Sequence, residues 1–470
     1  MPSSQSEERH IHHIDPQRVF ASLTFPPGRP VIAAVSGGSD SMALLVLLDS
    51  FFRSHGRVNG LIAATVDHGL RPDSAAEARR VAAFCAARGI PHRTLAWQGP
   101  KPGTGVPAAA REARHRLLAD AATASGAAMV LTGHTATDQA ETIAMRRQRG
   151  EGRGLAGIAP ATLHGGAVWF VRPLLSLSRA ALRGLLVGEG LSWIDDPSNE
   201  QLAYERARVR QALAGADEND RAEDLLVQGR RSSSERIEVG GRAARLIDRH
   251  ASLPTPGLVR FEAGLLLDED DVAALLAFRL LLATVGGREH LPEAERARET
   301  FQRLASAPGR GSLGGAVVDR RSDAVFLHRE VRAGWTGAKA AAPGTVWDGR
   351  FRITARGLPP GARVGAAGQA LAAIEAGRFE GCGVPPALVR AALAAEPVVS
   401  LEETDGGILE ETGGGVSPVG ADLARALLVR VPSPYAGFLP SFDLAPAEAL
   451  RKLVSADEFP PSPWRSHNAA

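Results

Sequence analysis

The most informative stretch for chemistry is a run of six small or acidic residues between two apolar segments. It reads SGGSDS, follows the apolar run VIAAV and precedes MALLVLL. Its residues are Ser36, Gly37, Gly38, Ser39, Asp40 and Ser41. Glycines let a backbone approach an anion closely, while serine hydroxyls and the amides of a helix N-terminus donate hydrogen bonds to it. The run therefore predicts a phosphate-binding turn between a strand and a helix.

The same turn excludes the Walker A class of nucleotide-binding loop. A Walker A loop requires Gly-Lys followed by Ser or Thr, and none of the three lysines of the chain follows a glycine (Lys101, Lys339 and Lys452). Asp40 stands in place of the lysine. A carboxylate cannot neutralise phosphate itself, but it can hold Mg²⁺, which does. The sequence thus predicts a phosphate site that works through Asp40 and magnesium.

Alternating strand and helix patterns position this turn. Short β-branched or apolar runs occur at 31–35, 61–66, 92–97, 128–132 and 168–171, with helical periodicity at 42–53, 74–88, 111–125 and 137–149. The alternation predicts a mostly parallel sheet with helices on both faces, an α/β fold of Rossmann-like type. In such sheets ligands bind at the carboxyl ends of the strands. Because residues 36–41, Asp67-His68 and Gly133-His134 each follow a predicted strand directly, we expect them to share one edge.

Composition divides the chain of 470 residues into further parts. We interpret 1–28 as an N-terminal extension, 29–213 as the α/β domain, 214–332 as a helical domain and 333–470 as a C-terminal α+β or β-rich domain. The polar stretch AGADENDRAED reads as a linker after the first domain, and Gly, Ala and Pro become frequent after GWTGAKAAAPG. A chain of this length is expected to form two or three domains.

The bulk composition is that of a soluble globular protein, with 44% hydrophobic and 23% charged residues. No apolar run is long enough to span a membrane and the N-terminus lacks a signal-peptide core, so we expect a cytoplasmic protein. The two cysteines, Cys85 and Cys382, exclude a disulfide scaffold and any CxxC pair. The net charge of +2 hides a basic stretch at 71–116, where nine Lys or Arg face three acidic residues. Such a stretch is able to attract phosphates or to form an ordinary solvated face.

The SGGSDS turn resembles the PP-loop of the ATP pyrophosphatases, which cleave ATP between the α and β phosphates. Four further stretches narrow the resemblance: TVDHGLRPDSAAEA (65–78), AAREARHRLL (109–118), LTGHTATDQAETIAMRRQRGEGRGLAGI (131–158) and WIDDPSNEQLAYERARVR (193–210). In this order they resemble the tRNA(Ile)-lysidine synthase family. The resemblance is strong over 30–212 and weaker in VWDGRFRI (346–353) and FLPSFDLAP (438–446).

The resemblance implies a specific reaction. In that family ATP adenylates the 2-oxygen of the wobble cytidine of tRNA(Ile) bearing a CAU anticodon, and the ε-amine of free L-lysine then displaces AMP. The product, lysidine, makes the tRNA read AUA instead of AUG. The implied cofactors are ATP and Mg²⁺, and the implied partners are this tRNA and L-lysine, without a membrane. The two later domains are expected to contact the tRNA, and the oligomeric state stays open between monomer and homodimer.

The resemblance also implies roles for individual residues near the nucleotide. Residues 36–41 bind ATP, with Asp67 and His68 near the adenosine. Asp40 and Asp138 are the implied catalytic and metal-binding carboxylates, and Asp138 is an alternative proton acceptor as lysine attacks. Glu141 is the implied lysine-binding residue. The alternative for Asp138 and Glu141 is that they are ordinary solvent-facing charges of a helix.

Six basic residues are implied contacts of the tRNA, although His134 and the first two arginines could instead meet the nucleotide: Arg111, Arg114, His134, Arg206, Arg208 and Arg210. The last three alternate with Ala207 and Val209, which predicts one basic face. Many family members carry an aspartate where this chain has Thr137. Because the following Asp138 is retained, we expect activity to survive and assign Thr137 no role.

Three competing interpretations remain. A PP-loop tRNA thiolase would need a reactive cysteine or CxxC near the nucleotide, and Cys85 and Cys382 supply neither. An amidotransferase or ligase such as GMP synthetase would need a glutaminase domain or ammonia channel, for which the sequence has no candidate. A tRNA-binding protein with an inactive ATP site is left open by Thr137, although the intact turn and Asp138 argue against it.

Overall fold

The computed structural model describes residues 14–150, 152–195, 205–213, 218–267, 270–322, 324–332, 335, 337–354, 357–401 and 424–465. The chain forms two compact units. The first unit comprises residues 1–236, 440–442 and 460–470, and the second comprises 237–439 and 443–459.

The first unit is built on a mostly parallel sheet. Its strands are β1 (Val31–Ala34), β2 (Leu61–Asp67), β3 (His92–Ala96), β4 (Met129–Thr132), β5 (Ala161–His164) and β6 (Val168–Val171). Within this unit the strand order is β5-β6-β4-β1-β2-β3. Only the β5–β6 pair is antiparallel among these strands. The parallel sheet predicted from the sequence is confirmed.

Helices connect and cover these strands. They are α1 (Pro16–Phe20), α2 (Ser39–Ser54), α3 (Ser74–Ala87), α4 (Val106–Ala124), α5 (Ala136–Gln148), α6 (Arg179–Gly188), α7 (Glu205–Leu213) and α8 (Glu218–His250), the last of which continues into the second unit. Val31, Ile32 and Ala33 are successive fully buried residues of β1. A strand buried on both faces requires such an uninterrupted apolar run, because its side chains alternate between the faces. One face packs through Ile32 against Leu118 of α4.

The strand register brings the ends of β1 and β4 level, and β2 continues past them by three residues in the same direction. Ala34, the last residue of β1, pairs with Ala64 of β2 and with Thr132 of β4. The segments that follow these strands therefore emerge at the same edge of the sheet. This geometry confirms that the PP-loop lies at the carboxyl edge of a parallel sheet.

The described residues of the second unit form three antiparallel sheets. The strands β7 (Ala251–Thr255), β8 (Leu258–Glu262), β9 (Gly309–Leu313), β10 (Ala316–Arg320) and β11 (Ala324–Arg329) form one sheet in the order β7-β8-β11-β10-β9. Two smaller sheets contain β12 (Lys339–Ala340), β15 (Ala362–Ala366) and β16 (Pro397–Leu401), and β13 (Val346–Trp347), β14 (Phe351–Ile353) and β17 (Leu428–Arg430). The helices are α9 (Asp271–Gly286), α10 (Ala294–Ser306), α11 (Gly368–Ala376), α12 (Pro386–Leu393) and α13 (Leu444–Val454), and β18 (Phe438–Pro440) crosses the boundary between the units.

The helical interpretation of 214–332 needs correction, because this part of the chain also carries the five strands of β7 to β11. Two of these strands have sequences that form strands poorly: β9 reads GRGSL and β7 reads ASLPT. Glycine and proline are depleted in strands, so pairing with neighbours outweighs local preference here. The stretch interpreted as a linker enters α8 at Glu218, while residues 214–217 lie outside the described part. None of the described helices is long and apolar enough to cross a bilayer.

Candidate active site

The PP-loop is a tight turn held by its own serines. The backbone amide of Ser36 donates to Oγ of Ser41 at 3.1 Å, and this hydroxyl donates to the carbonyl of Gly38 at 2.9 Å. Helix α2 begins within this loop, at Ser39, and no side chain among the described residues caps its N-terminus. The first amides of a helix lack partners within it, so they are available to an anion placed over this turn.

Two glycines allow the close backbone approaches that shape this edge. Gly37 has a φ of +91°, and a Cβ there would lie 2.7 Å from Cδ1 of Ile194. The amide of Ile194 donates to the carbonyl of Gly37 at 2.9 Å. A Cβ on Gly133, which follows β4, would lie 2.7 Å from the carbonyl oxygen of Asp40. Only glycine lets the β4 end rest against the first turn of α2.

A cavity of about 920 Å³ opens at this edge, within the first unit. That volume suits a nucleotide together with part of a second substrate. Twelve of the predicted site residues line it: Ser36, Gly38, Ser39, Asp40, Ser41, His68, Arg111, Arg114, His134, Asp138, Arg206 and Arg210. The structure thus brings most of the predicted residues together. Gly37, Asp67, Glu141 and Arg208 are not among the lining residues.

Asp138 is tied to its own helix by one oxygen and to arginines by the other. Oδ2 accepts from the amide of Thr135 at 2.8 Å and from its hydroxyl at 3.0 Å, which closes a capping box at the start of α5. Oδ1 accepts from Arg206 at 2.9 Å and from Arg179 at 3.1 Å. Burial alone would raise the pKa of Asp138, but the charges of Arg206 and Arg179 outweigh it and lower the pKa overall. Asp138 is therefore ionised, with Oδ1 directed at cations.

Glu141 lies one turn further along α5 and is almost completely buried. Its side chain is 1% exposed, and its two oxygens accept from Nε of Arg206 at 2.6 Å and from Nε of Arg210 at 2.7 Å. Asp40 is held similarly, because its Oδ2 accepts from Nε of Arg179 at 2.9 Å. Three carboxylates thus face three guanidinium groups beside the PP-loop. Neither Asp138 nor Glu141 is an ordinary solvent-facing helix charge.

The arginines of α7 do not form the single basic face predicted from their alternation. In an α-helix, residues two apart point about 200° apart, whereas residues four apart share a side. Arg206 and Arg210 accordingly lie together on the carboxylates, while Arg208 is exposed on another side. Arg111 and Arg114 on α4 are exposed and line the cavity, where they remain candidates for phosphate contact.

The two polar residues at the carboxyl end of β2, Asp67 and His68, have different roles. Asp67 accepts from the hydroxyl of Ser74 at 2.7 Å and from the amide of Gly69 at 3.0 Å, and these bonds, led by that to Ser74, lower its pKa. Its carboxylate thus shapes the turn, and His68 is the member of the pair that lines the cavity.

His134 is half-buried, and its Nδ1 lies 2.9 Å from Oγ1 of Thr132. Burial, reinforced by the nearby charge of Arg172, lowers the pKa of His134 to about 3. Near neutral pH its imidazole is therefore uncharged and acts through hydrogen bonds rather than as a cation for phosphate.

Comparison with known proteins agrees with this geometry. The family model described as a PP-loop domain matches residues 8–216. A tRNA(Ile)-lysidine synthase of Mesorhizobium japonicum is 46% identical over 462 residues, which cover 96% of this chain and 98% of that protein. Its counterpart in Rhizobium meliloti is 39% identical and covers 96% and 97%, and that of Brucella ovis is 41% identical and covers 72% and 77%. The chain belongs to the tRNA(Ile)-lysidine synthase family. The resemblance drawn from the motifs is confirmed.

Among solved structures, the U34-tRNA thiolase NcsA from Methanococcus maripaludis with its 4Fe–4S cluster is 17% identical, with a TM-score of 0.40. The match covers 46% of this chain and 77% of the thiolase chain.

Of the family stretch at 193–210, residues 196–204 lie outside the described part of the chain.

Two arginines that contact the PP-loop or its carboxylates in this lysidine synthase family member were not predicted from the sequence. Arg179 is the first residue of α6 and contacts Asp40 and Asp138, and Arg183 lies one turn later, with Nε 3.4 Å from Oγ of Ser39. The sequence does contain a sign that a helix starts here. Ser178 is a typical helix N-cap, it precedes an apolar helical pattern, and it follows closely on a strand that ends at the same edge of the sheet. Because Arg179 and Asp40 are 139 positions apart in the sequence, no local sequence pattern reveals their contact.

The carboxylates of this site could hold Mg²⁺ only together with oxygen atoms of a bound substrate. Within the described ranges, no group of three or more His, Cys, Asp or Glu side chains could hold a metal by itself. Asp40 and Asp138 nevertheless direct one oxygen each at the same guanidinium, so they are placed to share a cation. Mg²⁺ in nucleotide enzymes is commonly held by one or two carboxylates, substrate phosphates and water. The two aspartates fit that arrangement.

Proposed function

We propose that this protein ligates free L-lysine to carbon 2 of the wobble cytidine in CAU-anticodon tRNA(Ile), through an adenylated cytidine and with ATP. The product is lysidine, which switches decoding from AUG to AUA. The observation that supports this most is Asp138, which lines the cavity beside the PP-loop, with Glu141 one turn further along the same helix. A nucleotide site next to an acidic amine site suits a reaction that joins an adenylated base to lysine.

The first step is an attack by the cytosine 2-oxygen on the α phosphorus of ATP, with pyrophosphate as the leaving group. The amides of the PP-loop and the hydroxyls of Ser36 and Ser39 would hold the departing phosphates. Asp40 and Asp138 would hold Mg²⁺, which when bound neutralises the charge developing on pyrophosphate. Arg179 and Arg183 line the cavity and would supply the positive charge that a lysine supplies in a Walker loop.

The second step is an attack by the ε-amine of lysine on carbon 2, with AMP as the leaving group. The amine must be neutral to attack, and it loses a further proton as the carbon–nitrogen bond forms. Glu141 is the proposed anchor for lysine, and Asp138 the proposed acceptor of a proton. The low pKa of Asp138 makes it a weak base while Arg206 and Arg179 hold Oδ1, so proton acceptance requires one of them to move.

In this proposal the tRNA is contacted by exposed arginines and by the second unit. Arg111, Arg114 and Arg208 are the exposed basic residues of the predicted set. Contacts between arginine and phosphate release counter-ions, so their contribution to affinity falls with added salt. His134, being neutral, is a candidate for hydrogen bonding to a base or ribose instead. The residues after 236 are proposed to hold other parts of the tRNA.

The thiolase alternative is not favoured by any cysteine of the chain. Cys85 is buried, and burial raises its pKa to about 11, so it is not a thiolate at neutral pH. Cys382 has no second cysteine near it in the sequence with which to form a CxxC pair.

The test is incorporation of labelled lysine into a transcript of CAU-anticodon tRNA(Ile). Incorporation should require ATP and should stop when the wobble cytidine is replaced by uridine. Glu141→Gln should raise the KM for lysine with little effect on the KM for ATP. If the purified protein binds ATP and the tRNA but transfers no lysine, the proposed function is wrong.

A further inference from the structure

Arg179 joins two carboxylates that belong to different helices. Its Nε donates to Oδ2 of Asp40 at 2.9 Å, and its Nη2 donates to Oδ1 of Asp138 at 3.1 Å. Asp40 lies in the first turn of α2 and Asp138 in the first turn of α5, while Arg179 begins α6. Three helices therefore start beside one ion-paired cluster.

The cluster is shielded from water, so its ion pairs are not ordinary surface pairs. The side chains of Arg179 and Asp138 are 22% and 11% exposed. Burial lowers the pKa of Arg179, but the charges of Asp40 and Asp138 outweigh it and raise the pKa overall. Charges removed from water need a partner, and the loss of one partner leaves the other uncompensated. Arg179 thus stabilises two carboxylates that would otherwise repel one another.

The oxygens that Arg179 contacts are those that would face a metal ion shared by Asp40 and Asp138. Mg²⁺ binds carboxylate oxygens at about 2.0–2.1 Å in octahedral geometry. A guanidinium that donates along the same directions leaves no room for the metal. We propose that Arg179 is a resident counter-ion that competes with the metal for Asp40 and Asp138 until nucleotide phosphates draw it away. This inference rests on the assignment of these aspartates to Mg²⁺ within the proposed function.

Binding of nucleotide would favour the replacement of Arg179 by the metal ion at Asp40 and Asp138. Arg183, one turn after Arg179, already reaches the PP-loop, with Nε 3.4 Å from Oγ of Ser39. Phosphates seated over the PP-loop offer Arg179 a new anion close to its present partners. Metal and nucleotide then bind with positive coupling, because each favours the state in which Arg179 has left the carboxylates. The metal alone binds weakly, since it must displace Arg179 unaided.

The experiment measures Mn²⁺ binding to the full-length protein by electron paramagnetic resonance, with and without an ATP analogue whose α–β bridge is a methylene group. Without nucleotide, Arg179→Gln should bind Mn²⁺ at least about tenfold more tightly than the wild type, a change within the usual range of coupling between sites. The analogue should tighten Mn²⁺ binding to the wild type more than to the variant. Neither tRNA nor lysine is present, so the outcome is independent of whether lysine is transferred.

Two further variants assign the effect. Arg183→Gln removes the same charge from the same helix but no contact with Asp40 or Asp138, and without nucleotide it should leave Mn²⁺ affinity within about threefold of the wild type. Adding Asp40→Asn to Arg179→Gln should abolish the gain. If Arg179→Gln unfolds, Arg179→Lys, which keeps a competing cation, should bind Mn²⁺ as weakly as the wild type. Unchanged or weaker binding in a folded Arg179→Gln protein, or tighter binding in Arg179→Lys, would overturn the inference.

Discussion

Gly133→Ala should disable the site through a single methyl group. A Cβ at this position would lie 2.7 Å from the carbonyl oxygen of Asp40, 2.8 Å from its carbon and 3.0 Å from the amide nitrogen of Ser41. Ordinary contact begins at 3.4 Å, so the first of these is about 0.7 Å too short. All three atoms are backbone, so no rotamer change relieves the clash. Gly133 does not have a positive φ, so alanine suits its conformation and the contact alone decides the outcome.

The shift required is comparable to the precision that catalysis needs. Overpacking of this kind costs about 1–3 kcal/mol of unfolding free energy. Moving the first turn of α2 away from β4 also changes the distance between the PP-loop and Asp138, and a misplacement of about 1 Å can cost roughly a hundredfold in rate. We therefore expect lysine incorporation to fall by one to two orders of magnitude, about 10- to 100-fold, in a protein that remains folded.

The assay compares ATP affinity, lysine incorporation and thermal unfolding of Gly133→Ala with those of Gly103→Ala. Gly103 has no positive φ, and a Cβ there would meet no atom within 4 Å, so its replacement controls for the methyl group itself. Gly103→Ala should behave as the wild type. If Gly133→Ala also keeps wild-type ATP affinity and activity, the close approach of β4 to α2 does not set the geometry of the site.

Three further predictions address charge. Asp138→Asn should lower lysine incorporation at least about a hundredfold while circular dichroism stays unchanged, because an amide oxygen can still cap α5; an active variant would remove Asp138 from the mechanism. Arg206→Met should reduce lysine incorporation more than tenfold. Arg208→Met should instead weaken tRNA binding and lower the slope of log affinity against log salt concentration by about 1. Equal effects of the two substitutions would argue that these arginines do not lie on different sides of the helix. The free energy of unfolding should decrease as pH falls from 7 to 5. The reason is that histidines in the unfolded chain take up protons near pH 6.5, whereas folded His134 and His115 do so only near pH 3 and 4. In chemical denaturation His134→Asn should weaken this pH dependence, and an unaltered dependence would show that His134 is protonated equally in the folded and unfolded states.

Periodicity and spacing predicted the first unit well. The β1, β2, β3, β4 and β6 strands fall within one residue of the predicted runs at each end, because apolar segments bounded by Gly, Pro or polar turns leave little freedom in a parallel sheet. The meeting of the PP-loop, His68 and His134 followed from their positions after strands. In this unit, local sequence and tertiary structure agree.

The sequence was less informative where contacts join distant segments. The pairing of Arg206 and Arg210 with Glu141 spans 65 and 69 residues, and a pattern of alternate arginines does not reveal whether the backbone is a helix or a strand. Arg179 was missed for the same reason. Strands such as GRGSL form only because neighbouring strands supply their hydrogen bonds.

The most direct test of the proposed function is nucleoside analysis of CAU-anticodon tRNA(Ile) after reaction with the protein, ATP and isotopically labelled lysine. The proposed function predicts that the label resides in lysidine at the wobble position, with AMP and pyrophosphate formed in equal amounts. Unmodified cytidine there, or a base that carries sulfur or adenylate but no lysine, would contradict it.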